Sequence, residues 1–445
     1  MDNILFDMFS KRISKNREKY YNDYLKIKEI VRNSSARYRG EPIAFPYQAF
    51  FYDKNDMSKL REFSANFIDV FYKVIKEYRT SPGFRKHFKF PEIMEELILI
   101  DPGYQIPFPI SRFDIFYSFD RESEFKFCEI NTDGTSAMNE ARVIGEAMME
   151  SLIIKEIASD YDLETFELFY SWLETLLENY YEFLEFKGFT VNYAKKPVIA
   201  IVDFKNEGTM SEFKEFKESF IKYGYNTIIC DPRELNYRDG QLYHHNLKID
   251  LIYRRATTAK MLERVDEITD FLKAYRDRAV CVVGPFVSQL IHNKVLFAIL
   301  HDRKKVPFLN ESEHALIKKH VPFTISVSDG IPEDISKNRH NYLLKPVDSY
   351  AAKGVMVGSD YEEEEWDEII EQIHKQNYLI QEYVDVPKKK MAGPSKENLI
   401  IEKYNYMTGL FLYNQQLKGI YARAGRKSII GSAVESLTLP AYLLK

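Results

Sequence analysis

Apolar positions along this chain change their period several times, and each change predicts a new kind of element. Over residues 11–31 and 57–78 they recur every three or four positions among Lys, Glu and Tyr, as in amphipathic helices. Ser81, Pro82 and Gly83 stop the second run, so residues 1–100 read as helical. Residues 103–110 are extended and lead into two short strands, 112–117 and 125–130, around a polar turn at 120–123. Residues 136–157 and 164–186 return to helical spacing, and the Tyr and Phe stripe of the second reads as core.

From about residue 195 the period alternates. An apolar strand at 198–204 precedes a helix at 211–223, strands at 227–230 and 251–253, a helix near 262–275 and a strand at 280–283. Such alternation predicts a parallel sheet covered on both faces. A helix with Asn293 and Lys294 near its start follows, then a strand at 341–346, a polar loop at 347–354 and a strand at 355–357. A charged helix at 361–376 begins on Glu362 to Glu365, acids that suit a helix N-terminus. A strand at 378–384 comes next. The lysine-rich run 387–396 reads as a mobile loop, and the remainder as strands at 399–406, 410–413 and 416–423. The fold class is therefore α/β, with helical and strand-rich segments mixed in the α+β manner.

Composition narrows the choice. The chain has 445 residues, enough for two or three domains. A net charge of −5 without a long basic run argues against nucleic acid as partner. The first residues lack the long apolar core of a signal peptide or membrane span. Cys128, Cys230 and Cys281 are far apart in apolar contexts, as buried reduced thiols are. Together these features predict a cytoplasmic protein that does not engage a membrane.

Two constellations carry chemistry. In the first, strand alternation puts Arg112 and Asp114 on one face, and Glu129 and Asn131 on one face of the next strand. A regular hairpin sets Arg112 opposite Asn131 and Asp114 opposite Glu129, unless a bulge shifts it. Two carboxylates and an amide oxygen are hard ligands suited to Mg²⁺ shared with phosphates, and an arginine beside them suits phosphate oxygens. The same residues also fit a solvated hairpin with an ordinary ion pair, and the stretch alone leaves both readings open.

In the second constellation, Lys345 and Pro346 end a strand, a loop runs to Gly354, and a later strand carries Gln381, Glu382, Tyr383 and Val384. A strand lysine can reach phosphates as a point charge, loop N–H groups can cover them, and a short hinge can present its backbone to a purine. Lys294 can supply a second phosphate contact. No G-x-G-x-x-G follows the strand at 198–204, which disfavours dehydrogenase chemistry.

In order and spacing these residues resemble the ATP-grasp superfamily, more specifically its circularly permuted members related to glutathionylspermidine synthase, over about residues 100–445. Glu129-x-Asn131 precedes Lys294, Lys345 and Gln381-Glu382, the reverse of the ordinary order. Arg112-x-Asp114 and Tyr421-Ala-Arg423-Ala-Gly425 also belong to the pattern. The resemblance implies a permuted ATP-grasp fold with an inserted parallel-sheet domain and a helical N-terminal region. Its expected divisions are residues 1–100, helical; 101–194, the first catalytic part with the hairpin; 195–330, the inserted α/β domain; 331–388, the lid and hinge; and 389–445, the remainder.

The resemblance also implies roles. Asp114, Glu129 and Asn131 would hold two Mg²⁺ ions. Lys294 and Lys345 would bind ATP phosphates, and Gln381, Glu382, Tyr383 and Val384 the adenine. Arg112 and Arg423 would steady the γ-phosphate and the acyl-phosphate transition state, and Ser136 and Glu140 would face the substrates. The chain departs from the family in its lid loop, residues 349–354, which holds one glycine where several are usual. Lys353 would then contact phosphate directly. No amidase-type catalytic-cysteine domain is expected ahead of this part. The implied activity is ATP-dependent joining of a small-molecule carboxylate to an amine, with ADP released. Two alternatives are a non-catalytic nucleotide-binding module and a small-molecule phosphotransferase.

Overall fold

The computed structural model describes residues 2–38, 40–119, 125–332, 334–347, 353–373, 376–427, 429–431 and 436–445. The expected hairpin turn at 120–123 and most of the expected lid loop, 348–352, lie outside them. No helix among the described residues is long and apolar enough to cross a membrane.

The central sheet is antiparallel. Its strands run in the order Leu437–Leu439, Gln416–Gly425, Leu399–Tyr413, Ile110–Tyr117 and Phe125–Asn131, and Lys388–Pro394 pairs with the first half of Leu399–Tyr413. Two expectations are corrected here. The strands expected at 399–406 and 410–413 are one continuous strand. The run 387–396, expected as a mobile loop, contains the strand Lys388–Pro394. Its Gly, Pro and Lys content hid an alternation in which Lys388 and Lys390 face solvent while Met391 and Ala392 are buried. Lys389 points inward, with Nζ 4.6 Å from the ring centres of both Phe6 and Phe119.

Behind the hairpin lies the helix Lys54–Thr80, whose start is fixed by a reciprocal cap between Asp53 and Asp56. Its Phe63 and Phe67 pack on Phe127, and its Phe71 on Phe113. Those hairpin residues point away from Arg112 and Asp114, so one face is locked in aromatic core and the other is left for chemistry.

Most remaining differences at the N-terminal side are breaks in expected helices. The segment 11–31 divides at Asn16, which caps Arg17–Arg32 by accepting from the Lys19 N–H. The segment 136–157 divides into Met138–Met149 and Leu152–Ala158, with Ser151 capping the second. The helix expected from 164 begins at Tyr170, because Leu163–Glu164 pairs with Ala441–Leu444. That last strand also pairs in parallel with the buried Phe50–Tyr52, a strand inside the region expected to be wholly helical.

The expected parallel sheet is present in the order Cys281–Val283, Leu251–Arg254, Ile199–Val202 and Thr227–Cys230. Its first and third strands in sequence are neighbours, and the chain leaves them toward opposite edges. A crevice forms at the carboxyl ends of such a pair. The helix expected near 262–275 is two helices, Thr258–Glu263 and Thr269–Arg276, joined by a 3₁₀ turn. An unexpected antiparallel meander of Leu235–Arg238, Gln241–His244 and Leu247–Lys248 follows the second strand. Its signal was Asp239-Gly240, both at positive φ, the two-residue turn of a tight hairpin.

A smaller antiparallel sheet orders Thr324–Ser326, Tyr378–Glu382, Tyr342–Pro346 and Met356–Val357. It has its own core, in which Leu344 and Ile380 meet Trp366 and Ile370 of the helix Glu363–Ile373.

Candidate active site

A cleft of about 980 Å³ is lined by the central sheet, the smaller sheet and the carboxyl end of the parallel sheet. The hairpin has the register read from the sequence, with Arg112 opposite Asn131 and Asp114 opposite Glu129. A bulge follows immediately: Ile115 pairs with Phe127, which leaves Cys128 as the extra residue. It lies on the turn side of the four functional positions and so does not disturb them.

Asp114 is fully buried, beneath the residues that line the cleft. Arg112 grips it side-on, Nε to Oδ1 at 2.6 Å and Nη2 to Oδ2 at 2.8 Å, and donates its third nitrogen to the Ser136 carbonyl at 2.8 Å. Arg112 thus holds Asp114 in place, with its nitrogens engaged by the protein. Asn131 Nδ2 lies 3.1 Å from Asp114 Oδ2 and 3.3 Å from Glu129 Oε1, bridging the two carboxylates. Lys294 Nζ is 3.9 Å from Glu129 Oε2, and Lys345 Nζ donates to the Cys128 carbonyl at 3.2 Å. Burial alone would push the Glu129 carboxyl up, but Lys294, Lys345 and Arg112 outweigh it and hold the group at about 2. For Asp114, burial wins over Arg112 and the carboxyl is raised.

Among the described residues, no three His, Cys, Asp or Glu side chains are grouped to hold a metal ion. The hairpin offers instead two carboxylates and an amide. Rotating the Asn131 amide exchanges its nitrogen for its oxygen without moving the side chain. Glu129 and Asn131 then present hard oxygens to the cleft, with Asp114 held behind them by Arg112, a donor set that fits a divalent cation such as Mg²⁺.

Two strands over from Asp114, across Gly409, the strand Gln416–Gly425 adds Tyr421, to which sequence reasoning gave no role. Its ring lies 5.0 Å from the Arg112 guanidinium and 4.8 Å from that of Arg423. Its hydroxyl accepts from Arg423 Nε at 2.6 Å and donates to Glu140 Oε2 at 2.8 Å. Burial pushes the phenol up to about 12, Glu140 adding to the effect against both arginines, so it remains a donor at neutral pH. Alternation puts Tyr421 and Arg423 on one strand face, the signal that could have found it. Gly409, paired with Asp114, was also missed. A Cβ there would lie 2.8 Å from Asp114 Oδ1 and 2.9 Å from Arg112 Cδ, so only glycine leaves room for the ion pair.

The smaller sheet brings Lys345, Lys353 and residues 381–384 to the same cleft. Gln381 is buried and donates to Thr324 Oγ1 at 3.0 Å. The Glu382 carboxylate accepts from the Phe323 N–H at 3.0 Å, and the Tyr383 N–H donates to the Asn341 carbonyl at 2.7 Å. Gln381, Glu382 and Tyr383 are thus tied to neighbouring elements while lining the cleft. Ser136, Glu140, Lys294 and Arg423 also line it, so of the expected residues only Asp114 is covered.

The third wall was not anticipated. Asp203 and Arg255, the residues following the neighbouring strands Ile199–Val202 and Leu251–Arg254, both line the cleft. Finding them required the strand order. Asp133, just past Asn131, ties this wall to the hairpin: it faces Arg254 Nη1 at 2.7 Å and accepts from the Thr258 N–H at 2.6 Å.

The family described as glutathionylspermidine synthase preATP-grasp matches residues 32–438. Among solved structures, the chain is similar to a glutathione synthetase-like effector from Globodera pallida, at 11% identity over 95% of this chain and 96% of that one, with a TM-score of 0.55. It is also similar to D-cycloserine synthetase, at 12% identity over 56% of this chain and 91% of that one, with a TM-score of 0.31. A RimK domain ATP-grasp protein from Sphaerobacter thermophilus aligns at 13% identity over 55% and 90%, with a TM-score of 0.28. The last two likenesses are too distant to argue from. No curated protein matches the chain.

Proposed function

This chain belongs to the glutathionylspermidine synthase preATP-grasp family and has the ATP-grasp fold, and from that premise we propose that it joins a small-molecule carboxylate to an amine, using ATP. The observation that carries the reading is the convergence of the hairpin's oxygen face with Lys294, Lys345 and Arg423 in one cleft. The chain order, with Glu129 and Asn131 ahead of both lysines, favours a circularly permuted version of the fold.

In this reading Asp114, Glu129 and Asn131 would hold Mg²⁺, two ions being the expected number, and the metal would supply neutralising charge to the phosphates. Lys294, Lys345 and Lys353 bind phosphate oxygens, and residues 381–384 hold the adenine. Arg112 fixes Asp114 and, with Arg423, completes a cationic frame for the transferring phosphoryl group. Ser136 and Glu140 border the substrates. An oxygen of the substrate carboxylate attacks the γ-phosphorus while its bond to ADP breaks, giving an acyl phosphate. The amine attacks the acyl carbon, phosphate leaves, and the nitrogen loses a proton. Positioning and charge neutralisation supply the catalysis, with no covalent bond to the protein.

The test supplies Mg²⁺, ATP and pooled carboxylates and amines and follows the products. ADP and phosphate are expected. With the acid alone, hydroxylamine should trap a hydroxamate in step with ADP. AMP with pyrophosphate would overturn the mechanism, and a stable phosphorylated product without amine dependence would favour a phosphotransferase.

A further inference from the structure

Five tyrosines meet on the surface beside the parallel sheet, and none of them lines the cleft. Tyr170 opens the helix Tyr170–Phe186, and its ring lies 4.5 Å from that of Tyr223. Tyr181, on the same helix, lies 4.7 Å from Tyr193, and its hydroxyl shares a hydrogen bond with that of Tyr225. Lys196 joins the two groups. Its Nζ donates to the Tyr223 carbonyl at 2.8 Å and sits 4.7 Å from the centre of the Tyr225 ring. Lys196 and Tyr225 precede the strands Ile199–Val202 and Thr227–Cys230, so the cluster sits at the amino end of the sheet whose carboxyl end borders the cleft.

The cluster is open to water. Tyr193 is 68% exposed, Tyr223 42% and Tyr170 39%. At about 150–250 Å² for a whole aromatic side chain, these three alone leave roughly 300 Å² uncovered. Tyr181 and Tyr225 extend it toward the ~800 Å² that each member of a stable pair buries. A contiguous aromatic surface of this size marks a contact site. Its charge also runs from one sign to the other. At Tyr170 it is negative, because the hydroxyl donates to Glu174 and Glu167 lies close by. Toward Tyr193 it is positive, from the exposed Lys195, two residues on, and from Lys196.

We propose that a second copy of this chain covers the cluster, the two related by a two-fold axis. A surface with acids at one end, lysines at the other and aromatic rings between them is complementary to itself when turned by half a revolution. Glu174 of each copy then meets Lys195 of the other. The tyrosines close the centre, where residues of this type carry most of the energy of association. A membrane or a polyanion would call for one sign of charge, and an acidic or basic peptide would leave half of the surface unmatched. Since the cleft lies at the other end of the sheet, both copies keep it open, and the pairing does not depend on the ligase reading.

The test measures mass by sedimentation of the full chain from about 1 to about 100 μM, since pairing follows mass action. A species of twice 52.5 kDa should grow with concentration. Tyr193→Ser and Tyr223→Ser should each weaken the pair by on the order of tenfold. Glu174→Lys and Lys195→Glu should do the same, because each sets like charges against one another at both contacts of its own pair. Mixed together, these two charge variants should pair again with nearly the unaltered affinity, since one contact is then reversed in sign on both sides and the other is unchanged. The altered side chains are exposed, and a thermal melt verifies the fold of each variant. An unaltered chain that stays monomeric throughout would overturn the proposal and give the tyrosines to a partner of another kind. A pair indifferent to Tyr193→Ser and Tyr223→Ser, or charge variants that stay apart when mixed, would overturn it as well.

Discussion

Lys345 donates to the carbonyl of Cys128 across 3.2 Å, reaching from the smaller sheet to the one residue that the hairpin's bulge leaves out of register. The bulge frees a carbonyl from the ladder, and the lysine satisfies it while its charge bears on Glu129. Replacing Lys345 with Ala should lower stability by only about 1 kcal/mol. Nucleotide binding should suffer more. Added Mg–ATP should raise the melting temperature of the unaltered protein by mass action and shift the variant far less. Equal shifts would remove Lys345 from the phosphate site.

Glu129→Gln should leave the fold intact and abolish ATP turnover. The Glu129 side chain is 28% exposed and the amide preserves its volume, but a charge is lost where three cations converge. Removing such a term costs several kcal/mol in the transition state. Steady-state ADP release beside a thermal melt checks both halves. An unfolded variant would make Glu129 structural, and full activity would end its candidacy as a metal ligand.

Gly409→Ala should act through the ion pair opposite. The new methyl would press on Asp114 Oδ1 and Arg112 Cδ, both on buried side chains. Overpacking of this kind costs ~1–3 kcal/mol. A urea midpoint measures that loss, and turnover should fall with it because Asp114 is displaced. A variant with unchanged midpoint and turnover would show that the strand adjusts without disturbing the pair.

Asp203→Asn should flatten a pH dependence. Burial raises the Asp203 carboxyl from 3.8 to about 6, so the folded chain holds this proton more tightly than the unfolded one. Its contribution to stability is therefore present in acid and lost as pH rises from about 4 through about 6. The asparagine can still accept from the Phe204 N–H, which Asp203 Oδ1 does now at 2.8 Å. Melting temperatures should match the unaltered protein near pH 4 and exceed it above about pH 7, with ~1–2 kcal/mol gained. Parallel curves at all pH values would refute the assignment.

The register of Arg112, Asp114, Glu129 and Asn131 could be read because strand side chains alternate with a fixed period, and the bulge fell outside these positions. The parallel sheet showed itself by alternation, but its strand order did not, so Asp203 and Arg255 stayed hidden. Gly409 fell between the strands expected at 399–406 and 410–413, because its small size answers to Arg112 and Asp114, which come into view only once the sheet is paired. Lys389 looked like part of a mobile charged loop, since nothing local announces that Phe6 and Phe119 will enclose it. Likewise, the N-terminus of Met138–Met149 has no cap from its own Ala137, and Glu212 supplies one by accepting from the Asn139 N–H.

The pairing of the hairpin with Leu399–Tyr413, and of Phe50–Tyr52 with Ala441–Leu444, has a consequence for biosynthesis. A chain leaving the ribosome can complete the parallel sheet once residue 283 has emerged, because all four of its strands lie within residues 199–283. The hairpin must wait for its third strand, and until then Asp114 lacks the cover of Gly409 and its neighbours. Contacts so distant in sequence form slowly. A nascent chain stalled before residue 399 would therefore carry all four parallel strands beside a hairpin that lacks its third strand, an aromatic edge of the kind that chaperones recognise.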